Sequence, residues 1–207
     1  MNLKDTYNKI AEAWHKDHSS DDWWQEGTNI FISHLKSGPA VLDVGCGGGT
    51  KSKYLIAKGL KVTGIDFSEN LIEIAKREVP EGKFLVMDVH DIDTLQESFD
   101  GIFMQAVLLH IPKKEVEGIL KKAAQKLNLN GCLYIAVKEK LEGGVDEETK
   151  VDSDYGYDYE RFFSYFTVDE FRSWFKNLGL EMIYEDVKPP SRTNRRSNWM
   201  QLIGKKR

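Results

Sequence analysis

The stretch VLDVGCGGGT, residues 41–50, runs an apolar strand directly into a turn with glycine at positions 45, 47, 48 and 49. Glycine opens backbone conformations closed to other residues. It also lets main-chain N–H groups approach a bound polar or anionic group with no side chain in the way. After the first strand of an alternating array, such a turn predicts a nucleotide-like ligand rather than a plain connection. A dinucleotide fingerprint asks for G-x-G-x-x-G, and counting from Gly45 puts Thr50 where the third glycine falls. A P-loop asks for Gly-Lys-Ser/Thr after a four-residue spacer, which Thr50-Lys51-Ser52 does not supply.

Outward from this turn, short apolar runs alternate with amphipathic segments, the pattern of successive βαβ units. Strands are expected over 40–45, 61–66, 83–88, 101–107, 132–138, 180–187 and 199–205. Helices are expected near 50–58, 69–78, 113–127 and 168–178, with Ser68 and Thr167 as N-caps and Gly59 and Gly179 as stops. Two further helices precede the first strand. Leu3, Tyr7, Ile10, Ala11 and Trp14 make one apolar stripe, and a second helix is expected to start after Asp21 and Asp22 and to run through Trp23, Trp24 and Phe31 to Ser37-Gly38-Pro39. Residues 139–166 form a long insertion, acidic through Asp146, Glu147 and Glu148 and then aromatic from Tyr155 to Phe166. A loop of that length usually has a function. Between the last two strands, Arg192, Arg195 and Arg196 concentrate positive charge.

Acidic residues close successive strands: Asp43, Asp66 and Asp88. Asp66 lies about 20 residues past the loop, where a carboxylate can accept from both hydroxyls of an unphosphorylated ribose. Asp88 is placed to meet the amino group of a base. One such acid is ordinarily a cap; three beside a glycine loop are harder to assign to capping alone.

In this order DVGCGGG, GIDFS, MDVHDI and FDGIFMQAVLLHIP, spanning roughly residues 40–140, resemble the motif series of class I S-adenosylmethionine-dependent methyltransferases. The resemblance implies an α/β, Rossmann-like, seven-stranded mixed sheet with its last strand antiparallel. It implies S-adenosyl-L-methionine as cofactor and S-adenosyl-L-homocysteine as product. Gly45, Cys46 and Gly47 would run past the methionine moiety, Asp66 would hold the ribose, Asp88 and Val89 the adenine, and Gln105 the methionine end. Asp43, Gly49, Phe67 and Tyr7 are expected at the same site. The expected organisation is one methyltransferase domain over 1–207: a helical lid (1–38), a cofactor-binding core (39–138), the insertion (139–166) and a C-terminal helix and β-hairpin (167–207).

Methyl transfer from a sulfonium is an in-line displacement that needs alignment and exclusion of water rather than a covalent residue. If the acceptor needs a base, the candidates are His110 and Glu139, with His15 and His18 beside them. A packed or capping role for His110 outweighs catalysis. Trp24, His110, Tyr159, Arg192, Arg195 and Arg196 are the substrate-side candidates.

Composition narrows the partners. A net charge of −4 with 30% charged residues gives no general positive field for a nucleic-acid backbone. A small-molecule acceptor is therefore preferred; RNA is the alternative, and DNA and membranes are not expected. Cys46 and Cys132 have neither metal-ligand nor disulfide spacing, so no metal is expected and a reducing, cytoplasmic setting is. A monomer or homodimer fits equally. Two rivals from other classes are a nicotinamide-dependent oxidoreductase, which shares the glycine turn and ribose acid, and a non-catalytic cofactor-binding module.

Overall fold

In the computed structural model, residues 3–188 and 198–207 are described. Two helices, α1 (Leu3–His18) and α2 (Gln25–Ser33), precede strand β1 (Ala40–Val44). Then follow α3 (Thr50–Ala57), β2 (Lys61–Asp66), α4 (Glu69–Glu78), β3 (Lys83–Val86), β4 (Phe99–Gln105), α5 (Lys113–Lys126) and β5 (Leu127–Lys138). The hairpin β6 (Glu147–Asp152) and β7 (Tyr159–Ser164) comes next, then α6 (Val168–Asn177), β8 (Leu180–Lys188) and β9 (Trp199–Lys206).

The sheet has seven strands in the order β3-β2-β1-β4-β5-β9-β8. Strands β1 to β5 pair in parallel, while β9 lies antiparallel between β5 and β8. This is the expected mixed sheet with its last strand reversed. Strand order changes direction between β1 and β4, so a crevice opens at the carboxyl ends of those strands, directly past Val44 and Gln105.

Side chains alternate across a pleated strand, and both faces of this sheet are buried. Leu42, Ile102, Leu133 and Leu202 face the layer containing Leu120 of α5 and Phe171 of α6. Val41, Phe103, Tyr134 and Ile203 face the layer of Phe31 from α2 and Leu55 from α3. Phe103 and Tyr134 stack with ring centroids 4.4 Å apart. Helix α1 packs elsewhere, with Tyr7 and Ile10 against Leu71 and Ile74 of α4.

The caps follow the sequence. Ser68 accepts from the Leu71 N–H, Thr167 and Glu170 form a reciprocal capping box, and Gly59 and Gly179 end their helices at positive φ. Several boundaries differ. Helix α2 begins at Gln25 with no side-chain cap; the Asp22 carbonyl instead closes a turn by accepting from the Gln25 N–H at 2.9 Å. Asp21 and Asp22 thus shape the turn before the helix. The third strand stops at Val86, because Asp88 already caps a short 3₁₀ turn over Val89–Thr94 by accepting from the His90 N–H. The insertion expected as a loop contains the β6–β7 hairpin. Glu148 pairs with Phe163 and Lys150 with Arg161, so alternating polar and aromatic residues meet across it.

Candidate functional site

A cleft of about 1200 Å³ lies at the carboxyl ends of the parallel strands. Its floor is the turn after β1. Gly45 and Gly47 hold φ of 66° and 54°, in the left-handed region where other residues are strained. Gly45 is also sterically fixed, since a Cβ there would stand 2.4 Å from Val107 Cγ2. Helix α1 covers this turn closely: a Cβ on Gly48 would meet His15 Nδ1 at 2.2 Å, and one on Gly47 would meet Trp14 at 3.2 Å.

Asp66, at the end of β2, faces the cleft and is nearly fully buried. Its Oδ2 accepts from the Gly47 N–H at 3.0 Å and its Oδ1 from the Ser68 N–H at 2.9 Å. A carboxylate oxygen has two lone-pair positions, so each still has one for an incoming hydroxyl. Burial pushes the Asp66 carboxyl up to about 6, against the pull of those two N–H donors. Asp43, beneath the turn, accepts from Ser52 Oγ at 2.6 Å, and burial pushes it up to about 7. Burial also raises the Cys46 thiol well above its ordinary range. Asp88 Oδ1 takes both the N–H and the Nδ1 of His90, leaving its Oδ2 without a protein donor among the described residues. Gln105 Oε1, at the end of β4, is buried in the cleft wall with no partner among the described residues.

Phe67, Val89 and Tyr7 also line the cleft. Gly49 does not. It sits at φ 85° as the N-cap of α3, and a Cβ there would touch Val79 and Ala75 of the α4 layer. That glycine permits helix packing rather than ligand approach.

The other end of the cleft is closed by the hairpin. His110, after β4, has its Nδ1 2.7 Å from the Phe162 carbonyl. A carbonyl only accepts, so Nδ1 carries the proton and Nε2 accepts from the Tyr7 hydroxyl at 3.0 Å. Burial, opposed by the Phe162 bond and assisted by Arg161 and Lys138, takes His110 down to about 3. Its free lone pair is therefore already used, and the ring is neutral. Glu139 lines the cleft, with Oε2 accepting from Asn198 Nδ2 at 2.7 Å. His18 lines it too, while His15 is spent on the glycine turn.

Residues 41–131 match the family model described as a methyltransferase domain. That stretch runs from β1 into β5 and gives the core of the sheet its likeness to a methyltransferase domain. In sequence it resembles the ubiquinone biosynthesis O-methyltransferase of Coxiella burnetii, 30% identical over 135 residues, covering 56% of this chain and 57% of that protein. The enzyme of the same description from Xanthomonas axonopodis is 28% identical over 163 residues, covering 73% of this chain and 65% of its own. The chain thus spans less than two thirds of the length of these curated relatives. In fold it resembles an S-adenosylmethionine-dependent methyltransferase of Methanosarcina mazei, with TM-score 0.73 and 23% identity over 86% of this chain and 96% of that one. It also resembles the 1,6-didemethyltoxoflavin-N1-methyltransferase of Burkholderia thailandensis, with TM-score 0.75 and 18% identity over 99% and 87%.

Two substrate-side expectations fall outside this cleft. Trp24 is buried away from it; its Nε1 donates to the Asp21 carbonyl at 2.6 Å and its ring meets Tyr54 edge-on. The neighbouring Trp23 lines the cleft instead, stacked on Trp199 at 4.4 Å. Tyr159 is buried among Tyr7, Tyr155 and Tyr157, so it holds the hairpin to α1 rather than facing a ligand. Arg192, Arg195 and Arg196 lie outside the described residues. Sequence reasoning missed Arg161, which lines the cleft from β7 and is clamped by Asp152 Oδ2 at 2.8 and 2.6 Å. Its signal was the period of two that puts Tyr159, Arg161 and Phe163 on one face, visible only once the insertion is treated as a strand.

Proposed function

We propose that this protein binds S-adenosylmethionine in the cleft and transfers its methyl group to a small-molecule acceptor. The single observation carrying the proposal is Asp66. It is buried at the end of β2, tied to the glycine turn through Gly47, and has one lone pair on each oxygen still to use. The unpartnered Gln105 Oε1 and Asp88 Oδ2 fit the same cofactor, as acceptors for an amino group at either end. In this reading Asp66 holds the ribose hydroxyls, Asp88 and Val89 the adenine, and Gly45, Cys46, Gly47 and Gln105 the methionine end. Phe67 and Tyr7 pack beside it, and Asp43 supports the turn through Ser52.

The cofactor supplies an electrophilic methyl group on a sulfonium. The protein's part is alignment and dryness. Helix α1 seals the glycine turn with Trp14 and His15, the hairpin closes the opposite end, and His110 joins the two through Tyr7 and Phe162. Excluding water strengthens every fixed dipole in the cleft and suppresses hydrolysis. Of the two candidate bases, Glu139 suits an acceptor that must lose a proton. His110 does not, because Nε2 is engaged and burial disfavours its charged form.

A small acceptor is favoured over RNA because the cleft is roofed at both ends and the chain carries a net charge of −4. The O-methyltransferase description of the sequence relatives points the same way. Calorimetry with S-adenosylhomocysteine, followed by a labelled-methyl screen of metabolite pools and bulk RNA, tests the reading. Micromolar binding and label in a small molecule are expected. No heat above buffer would overturn it.

A further inference from the structure

The hairpin end of the cleft has a chemistry of its own. Leu109, Phe163, Tyr165 and Trp199 form one apolar cluster with Trp23 packed against it, and all five line the cleft. Three cationic side chains surround a single ring in that cluster. Lys138 Nζ lies 4.3 Å from the Phe163 centroid, the Arg161 guanidinium 5.3 Å and Lys150 Nζ 5.6 Å. His110, with its ring 4.9 Å from that of Phe163, is held neutral and adds no charge.

Like charges gathered around one side chain repel, and inside a partly dry wall the repulsion is weakly screened. Two carboxylates hold two of these cations there. Asp152 Oδ2 takes the Arg161 Nε and one Nη2, and Glu148 Oε1 takes Lys150 Nζ at 3.1 Å and the Tyr165 hydroxyl at 2.7 Å. Arg161 has five N–H donors; Asp152 uses two and Tyr7 sits against a third. Arg161 itself lines the cleft, beside Phe163, Tyr165 and Trp199. Arginine with only 18% of its side chain exposed, fixed by a carboxylate behind it, is how proteins present a rigid receptor for a planar anion.

We propose that the acceptor is a planar aromatic acid, its ring held by Phe163, Tyr165 and the Trp23–Trp199 pair and its carboxylate by Arg161, Lys150 and Lys138. This rests on the methyl-transfer reading for what happens to the acceptor, but the binding site stands on these side chains alone. The carboxylate is held by side chains of β5 and the hairpin, whereas the cofactor is assigned to Asp66 and Asp88, so acceptor and cofactor draw on different groups.

The test compares 2-naphthoate with 2-naphthamide, which share shape and differ in charge, by quenching of the tryptophan fluorescence of the full chain, with and without S-adenosylhomocysteine. Naphthoate should bind about tenfold more tightly than the amide, the size of a charge-assisted bidentate contact. That preference should shrink to about twofold or less in Lys150→Gln and in Arg161→Gln. Lys150 is partly exposed, so its variant keeps the comparison readable if Arg161→Gln fails to fold, which melting curves report. Equal binding of acid and amide, binding of neither, or a tenfold preference surviving in Lys150→Gln and in a folded Arg161→Gln overturns the proposal. If S-adenosylhomocysteine itself does not bind while the acid preference holds, the methyl-transfer reading fails and the acid site stands.

Discussion

The Tyr7 hydroxyl donates to His110 Nε2 at 3.0 Å, joining the first helix of the chain to the turn after β4 across 103 residues of sequence. The same imidazole donates from Nδ1 to the hairpin at Phe162. One neutral ring therefore fastens both covers of the cleft. Replacing Tyr7 with Phe leaves a buried acceptor unpaired, a cost of about 1–3 kcal/mol. Urea unfolding should show that loss, and stopped-flow should show S-adenosylhomocysteine leaving several times faster. An unchanged release rate would reduce the bond to packing.

The pH behaviour of this fastening has a definite sign. Burial takes His110 down to about 3, so below the ordinary imidazole range the unfolded chain gains a proton that the folded one refuses. The stability it contributes is complete above about 6.5 and is lost as pH falls toward 3. His15, also lowered mainly by burial, acts in the same direction. Asp43 and Asp66, raised by burial, act oppositely and favour the fold less as pH rises toward 6 and 7. In His110→Gln the fall of the urea midpoint between pH 6.5 and 4.5 should therefore be shallower than in wild type. A parallel fall would show that the ring does titrate within the fold.

Cofactor binding should carry the signature of Asp66. Hydroxyl donors need the ionised carboxylate, and with the group near 6 about one molecule in ten is ionised at pH 5. The affinity for S-adenosylhomocysteine should thus be about tenfold weaker at pH 5 than at pH 7.5. Asp66→Ala should cost about 1.5–3 kcal/mol at neutral pH through two lost charge-assisted bonds and should flatten this dependence. Calorimetry at both pH values with both proteins decides it.

The two N-terminal helices should separate by truncation. Helix α1 packs on α4 and on the hairpin, whereas Phe31 of α2 is fully buried against Phe103 and Tyr134 of the sheet. Removing residues 1–20 should leave a cooperatively folding protein that exchanges cofactor faster and turns over more slowly. Removing residues 1–36 should abolish cooperative unfolding, since loss of a buried Phe alone costs about 3–5 kcal/mol. Thermal melts of both truncations distinguish the cases, and a folded 37–207 fragment would refute the assignment of α2 to the core.

How much of this the sequence discloses depends on whether a signal is local. The glycine turn, the Asp66 carboxylate and the caps at Ser68 and Thr167 are written within a few residues each, so the parallel core and its order are legible from periodicity and motif. Trp23 and Trp24 show the limit: adjacent aromatics on a half-turn face opposite ways, and only the start of α2 at Gln25 decides which one meets the cleft. The hairpin shows it again. Glu148 and Lys150 alternate with outward neighbours along β6, but the acidic run there masks a period of two, and Arg161 acquires its meaning only across the strand from Lys150. Tyr159 is misleading for the same reason, because its partners come from α1.

The closeness of Trp14 and His15 to Gly47 and Gly48 has a temporal consequence. Helix α1 lies directly on the glycine turn, and the hairpin covers the other end of the cleft. Under the proposed function, traffic of the two ligands would fall to two separate pieces of chain. On that reading a lineage bearing this fold would exchange its acceptor by rewriting the inward positions of residues 147–164 while leaving α1 unchanged.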